Sequence, residues 1–127
     1  MADDNKTKIL LVDDDDLVRG VLSAMLEASG YEVSTASDGL EGLEMVEKIV
    51  PDLVITDVIM PFKEGIESII EIKKIFPDMK IIAISGGDRF GKTSYLDIAR
   101  KLGASASLVK PFTRDVLIST VEEVLGE

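Results

Sequence analysis

Ile9-Leu10-Leu11-Val12-Asp13-Asp14 is the stretch on which the reading of this chain turns. Four apolar residues run without interruption into two carboxylates. The same form recurs three times: Leu53-Val54-Ile55-Thr56 runs into Asp57, Ile81-Ile82-Ala83-Ile84 into Ser85, and Leu108-Val109 into Lys110. Short continuous apolar runs bounded by turn signals are consistent with strands, and 52–57 reads as a buried one. In an open parallel sheet the functional crevice lies beyond the carboxyl ends of the strands. Four neighbouring strands of this kind would deliver three carboxylates, a hydroxyl and an ammonium to one place.

The segments between these runs have helical period. Val18, Val21, Leu22, Met25 and Leu26 predict an amphipathic helix over 17–29, with Gly30 as its stop. A less apolar strand over 31–36 suits a sheet edge. Asp38 caps a second helix with Leu43, Val46 and Val50 on its inner face, and Pro51 ends it. A strand over 52–57 is followed by a loop from Met60-Pro61 to Gly65. A helix over 64–76 buries Ile66, Ile69, Ile70 and Ile72. A strand over 80–84, a glycine-rich loop over 85–92, a helix over 93–102, a strand over 106–109 and a helix over 113–125 complete the chain. Alternation of strand and helix gives an α/β fold, a doubly wound five-stranded parallel sheet with helices on both faces. Right-handed crossovers with one reversal of direction are compatible with 2-1-3-4-5 as a candidate strand order. The 127 residues suit one domain over 1–127 with its core at about 7–126.

Composition excludes several chemistries. With no Cys there is no thiolate metal site or cysteine nucleophile, and with no His there is no Ser-His triad and no phosphohistidine on this chain. Reactive chemistry is left to Asp, Glu, Lys, Ser, Thr and a bound cation. The net charge of −10 opposes direct DNA binding, since Lys and Arg are scattered and Arg100-Lys101 suits a helix C-terminus. No apolar run approaches the roughly 20 residues of a membrane span, and the polar, acidic start is not a signal peptide. A cytoplasmic setting without membrane contact is the expectation.

Asp13-Asp14-Asp15-Asp16 is the strongest local signal. Adjacent carboxylates repel, by roughly 4 kcal/mol per pair at ~4 Å and an effective dielectric near 20, before screening. Capping of the following helix accounts for Asp15 and Asp16. It accounts less well for Asp13 and Asp14, which stand at the strand end and suit a hard divalent cation such as Mg²⁺. Taken singly, Asp57 reads as a turn residue, Ser85 as a turn hydroxyl before Gly86-Gly87, and Lys110 as a surface lysine whose bond to Pro111 can be cis. Their joint placement at successive strand ends carries the argument.

With these residues in view, the chain resembles the CheY-like receiver domain of two-component response regulators over nearly its whole length. The resemblance rests on Leu11-Val12-Asp13-Asp14, Asp57 with Met60-Pro61 and Gly65, Ile84-Ser85-Gly86, Gly103-Ala104, and Val109-Lys110-Pro111-Phe112. It implies a flavodoxin-like three-layer sandwich, order 2-1-3-4-5, in a stand-alone single-domain member. It implies that Asp57 is phosphorylated by a phosphohistidine of a sensor histidine kinase or phosphotransfer protein. Mg²⁺ would be held by Asp13, Asp14, Asp57 and the backbone carbonyl of Ile59, with Asp13 acting through water. Lys110, Ser85 and Gly86 would meet the phosphoryl group, and the domain would promote its own phosphorylation and dephosphorylation. Ser85 would act as the switch, changing the helix 4, strand 5 and helix 5 face for a downstream output protein. Three positions depart from the family pattern: Ser107 replaces the usual aromatic switch residue, the segment from Ser85 to Tyr95 is long and glycine-rich, and Glu64 stands where Asp is usual.

Other readings compete. A haloacid-dehalogenase-like, Mg²⁺-dependent phosphatase would use Asp13 as nucleophile in a D-x-D pair with Asp15, but its late acidic pair is matched only by Asp115 or Glu122-Glu123, and a cap domain is missing. An FMN carrier needs phosphate-binding N–H groups after the first strand, where four carboxylates stand. A receiver without phosphorylation would not need the complete residue set.

Overall fold

The computed structural model describes residues 6–58, 65–86 and 95–126. Five strands and five helices alternate: β1 (Lys8–Val12), α1 (Asp16–Ala28), β2 (Glu32–Ala36), α2 (Gly39–Ile49), β3 (Leu53–Asp57), α3 (Gly65–Ile75), β4 (Lys80–Ser85), α4 (Tyr95–Lys101), β5 (Ala106–Val109) and α5 (Arg114–Leu125). The sheet is parallel throughout, in the order β2-β1-β3-β4-β5. The less apolar strand is therefore an edge strand, as its sequence suggests.

Strand alternation sorts the core into two compartments. Leu10, Val12, Val54, Ile81 and Ala83 face one side of the sheet and pack with Val46 of α2, Ile69 and Ile72 of α3 and Ala99 of α4. Ile9, Leu11, Leu53, Ile55, Ile82, Ile84 and Leu108 face the other and pack with Leu22 and Leu26 of α1 and Leu117 and Val121 of α5. Most of these side chains are inaccessible to solvent. Removing that apolar area from water is the main stabilising contribution to such a fold.

Side-chain caps fix where the helices begin. Asp15 accepts hydrogen bonds from Leu17 N and Val18 N at the start of α1, Asp38 from Glu41 N at α2, and Thr113 from Val116 N at α5. Asp16 is the first residue of α1, so half of the acidic run belongs to the helix start.

Two expectations about burial need correction. Val50 does not lie on the inner face of α2. It is the C-cap, half exposed at 52%, with φ 45° and ψ 72°. A β-branched residue in the left-handed region is strained. Ile70 is not buried with Ile69 and Ile72 but lies 36% exposed on α3. The loop residues Met60, Pro61 and Glu64 and the glycine-rich stretch 87–92, together with Thr93, lie outside the described residues.

Candidate functional site

Register places the strand-end residues as a staircase. Val12 pairs with Thr56, which sets Asp13 level with Asp57. Asp57 pairs with Ile84, so Ser85 stands one residue further on. Ser85 pairs with Val109, so Lys110 stands one further again. Each step is about 3.3 Å, so the Lys110 backbone lies about 7 Å beyond the level of Asp57 along the strands. A four-carbon stem can span that offset. Lys110 Nζ donates to Asp13 Oδ2 at 2.9 Å and to Asp57 Oδ2 at 2.8 Å.

Parity decides which face each side chain leaves from. Asp13 follows Ile9 and Leu11 by two-residue steps, Asp57 follows Leu53 and Ile55, and Lys110 follows Leu108. All three belong to the α1/α5 face. Ser85 follows Ile81 and Ala83 and belongs by alternation to the face that carries α4. The acid–lysine cluster and the hydroxyl thus adjoin at one sheet edge while rooted in different compartments.

The electrostatics are lopsided. Asp13 is 1% exposed and Asp57 5%, so both carboxylates are taken out of water. One ammonium serves them both. Burial lowers the Lys110 pKa, but hydrogen bonds and charge from Asp57 and Asp13 outweigh it and leave the group above its ordinary value of 10.5. Asp14 adds a third, exposed carboxylate, and oxygens of Asp13, Asp14 and Asp57 all lie within 4.8 Å of one another. The donors are all oxygen and their negative charge exceeds that of the single ammonium. Such a set fits a hard divalent cation, Mg²⁺ in particular.

The remaining residues named from sequence fall as follows. Ser85 is 3% exposed, and its carbonyl accepts the backbone N–H of Lys110 at 2.8 Å. Gly86 is exposed next to it, and among the described residues nothing lies within 4 Å of where a Cβ would project. The Lys110–Pro111 bond is cis. Ser107 does not join the crevice. It is half-buried on β5 opposite Ala83 and edges a separate cavity of about 390 Å³ with Arg100, Thr120 and Glu123. Ile59, whose carbonyl was expected among the cation ligands, lies outside the described residues. Asp15 turns its carboxylate to the helix cap, which removes it from a D-x-D pair with Asp13.

Sequence reasoning passed over Arg19. Its Nη1 donates to the Asp13 carbonyl at 2.7 Å and its Nη2 pairs with Asp16. The i,i+3 spacing from Asp16 was the visible signal.

A strand-end aspartate bridged by lysine to an acid pair, on a 2-1-3-4-5 sheet, defines the receiver class of signalling domains. The chain belongs to the response regulator receiver domain family, whose sequence profile matches residues 9–122. It is a receiver domain of two-component response regulators, a phosphoacceptor class. The transcriptional regulatory protein PdtaR of Mycobacterium tuberculosis is 42% identical over 116 residues, covering 91% of this chain and 55% of that protein. The chain thus spans about half the length of such regulators. The chemotaxis protein CheY of Halobacterium salinarum is 33% identical over 118 residues, covering 93% of this chain and 96% of its own. Among solved structures, a CheY-like receiver domain protein of Methanospirillum hungatei superposes with a TM-score of 0.88 at 31% identity, covering 96% of this chain and 95% of that one. Vibrio cholerae CheY4 superposes with a TM-score of 0.85 at 32% identity, covering 94% and 98%. These likenesses do not support the dehalogenase-like alternative. Among the described residues, no helix is long and apolar enough to cross a membrane.

Proposed function

We propose that Asp57 is the phosphoacceptor of a single receiver domain formed by residues 1–127, core about 7–126. The observation that carries this is the Lys110 ammonium held 2.8 Å from the Asp57 carboxylate in a buried crevice. An Asp57 oxygen attacks the phosphorus of a phosphohistidine on a sensor histidine kinase or phosphotransfer protein. The new O–P bond forms as the N–P bond breaks, and the departing imidazole keeps the nitrogen electron pair and takes up a proton from solvent. The product is an aspartyl phosphate. Lys110, released from Asp57, supplies positive charge to a phosphoryl oxygen, and alignment with electrostatic stabilisation does most of the catalytic work in such transfers.

Asp13, Asp14 and Asp57, with the Ile59 carbonyl, would hold Mg²⁺. When bound, the ion neutralises charge on the carboxylates and the phosphoryl oxygens. Ser85 and Gly86 adjoin the place where those oxygens arrive. Ser85 roots in the α4 compartment, so its bond to the phosphoryl group biases α4, β5 and α5 toward an output protein. Ser107 stands in that face, and with a small hydroxyl there the readout does not use an aromatic rotamer. The donor needs a surface beside Asp57. An apolar cleft of about 300 Å³ bounded by Leu17, Val21, Met25 and Phe112 opens next to Lys110 and offers one. Leu17 is 76% exposed there, more than packing alone calls for.

Incubation with a small phosphodonor and Mg²⁺, read by intact mass, tests the assignment. One phosphoryl group is expected on the wild type and none on Asp57→Asn. An adduct that persists in Asp57→Asn overturns Asp57, and indifference to EDTA overturns the role of the ion.

A further inference from the structure

Asp14 carries no hydrogen bond or ion pair among the described residues, yet its carboxylate is held within the acidic cluster. Something other than its own side chain must aim it. Two peptide groups flank it. The one on its C-terminal side is fixed by Asp15 N, which donates to Asp13 Oδ1 at 2.9 Å. The one on its N-terminal side carries the Asp13 carbonyl, which accepts Arg19 Nη1 at 2.7 Å. Asp13 N donates in turn to the Ala36 carbonyl at 3.1 Å. Every polar group of Asp13 is therefore engaged, and Arg19 is the only side chain that grips its backbone among the described residues.

Arg19 is equipped for this. It projects from the first turns of α1, its side chain is only 19% exposed, and its second nitrogen is anchored on Asp16. A guanidinium has five donors in a rigid plane, so it can hold a carbonyl and a carboxylate at once. An ammonium at the same place could reach the carbonyl but would hold it with less directional control.

We infer that Arg19 is a positioning residue of the cation site: it fixes the Asp13–Asp14 peptide and thereby aims the Asp14 carboxylate. This rests on the divalent-cation reading above. It also makes a prediction of distinctive sign. Arg19 is a positive charge beside a cation site, so by charge alone its removal would tighten cation binding. If it aims Asp14, its removal weakens binding, and loss of an outer partner of this kind costs on the order of tenfold in metal affinity.

The test is isothermal titration of the full chain with MgCl₂, comparing wild type, Arg19→Met, Arg19→Lys and Asp16→Asn. Melting curves in EDTA confirm that each variant is folded, and Arg19→Lys serves in place of Arg19→Met should the latter unfold. Arg19→Met is expected to bind about tenfold more weakly. Arg19→Lys, which keeps the charge and one donor, is expected to fall between it and wild type. Asp16→Asn, altered at an 88% exposed carboxylate, is expected to stay within about threefold of wild type. Wild-type binding with equal or tighter binding by Arg19→Met overturns the role of Arg19 alone. No binding by the wild type overturns the cation reading and this inference with it.

Discussion

Asp14→Asn should make the protein more stable, and Mg²⁺ should reverse the order. Asp14 is exposed, and its ligand oxygen lies within 4.8 Å of oxygens of both Asp13 and Asp57. Each of those like-charge pairs costs about 0.9 kcal/mol at 4.8 Å in a water-like dielectric and about 3.5 kcal/mol at an effective value of 20. The Lys110 ammonium cancels about one of the two repulsions, leaving the equivalent of one. Asp14 borders water, so the lower figure is the better guide, and its neutralisation should contribute about 1 kcal/mol. For a chain of this size that raises Tm by about 3–5 °C. The assay is thermal unfolding followed by far-UV circular dichroism in low-salt buffer with EDTA, repeated with MgCl₂. At ten times its Kd the ion stabilises wild type by about 1.4 kcal/mol through mass action. With Asp14 in the proposed role of cation ligand, Asp14→Asn gains less, so wild type should overtake it. High salt should shrink the EDTA difference, since near 1 M the Debye length falls to about 3 Å. A Tm for Asp14→Asn equal to or below wild type in low-salt EDTA refutes the repulsion argument.

Three further outcomes follow from other positions. Lys110 has its folded pKa above the unfolded value of 10.5, so its stabilising contribution is complete below about pH 10.5 and is lost as pH rises through the folded value. Tm profiles of wild type and Lys110→Met over pH 8 to 11 should therefore keep a constant gap up to about pH 10.5 and begin to approach each other only above it, with the variant lower by about 2 kcal/mol below that pH because two buried carboxylates lose their counter-charge. Ser68 Oγ is buried with no hydrogen-bond partner among the described residues; Ser68→Ala should raise stability by about 1 kcal/mol in urea unfolding with m unchanged. Val50 holds φ 45° while half exposed; Val50→Asn should gain about 1 kcal/mol in the same assay, because Asn tolerates the left-handed region.

The legibility of this chain differs from element to element. The apolar runs that end at Asp13, Asp57 and Ser85 are central strands buried on both faces, which have a strong signature; the run ending at Lys110 is a half-buried edge strand, and the ends of all four were visible to within a residue. Parity along those runs even carries the face from which each side chain leaves. The helix over 64–76 was less readable, because Ile66, Ile69, Ile70 and Ile72 are chemically alike and give no contrast between an inner and an outer position. Val50 misled for another reason. It continues the apolar period of α2, but the chain leaves the helix at that residue ahead of Pro51. Arg19 was missed because its key bond is to a backbone carbonyl, and a backbone acceptor leaves no mark in a sequence.

The staircase of strand ends has a consequence for how this domain tolerates insertion and deletion. Lys110 meets Asp57 because three adjacent ladders hold β1, β3, β4 and β5 in fixed register. A one-residue slip of β5 would displace Lys110 by about 3.3 Å and turn it to the opposite face. A longer or shorter connection between Ser85 and α4 changes none of those pairings. The crevice is indexed by the sheet and indifferent to loop length. The chain beyond Gly86 can thus change in length without parting Lys110 from Asp57, while a single residue gained or lost inside a strand would dismantle the site.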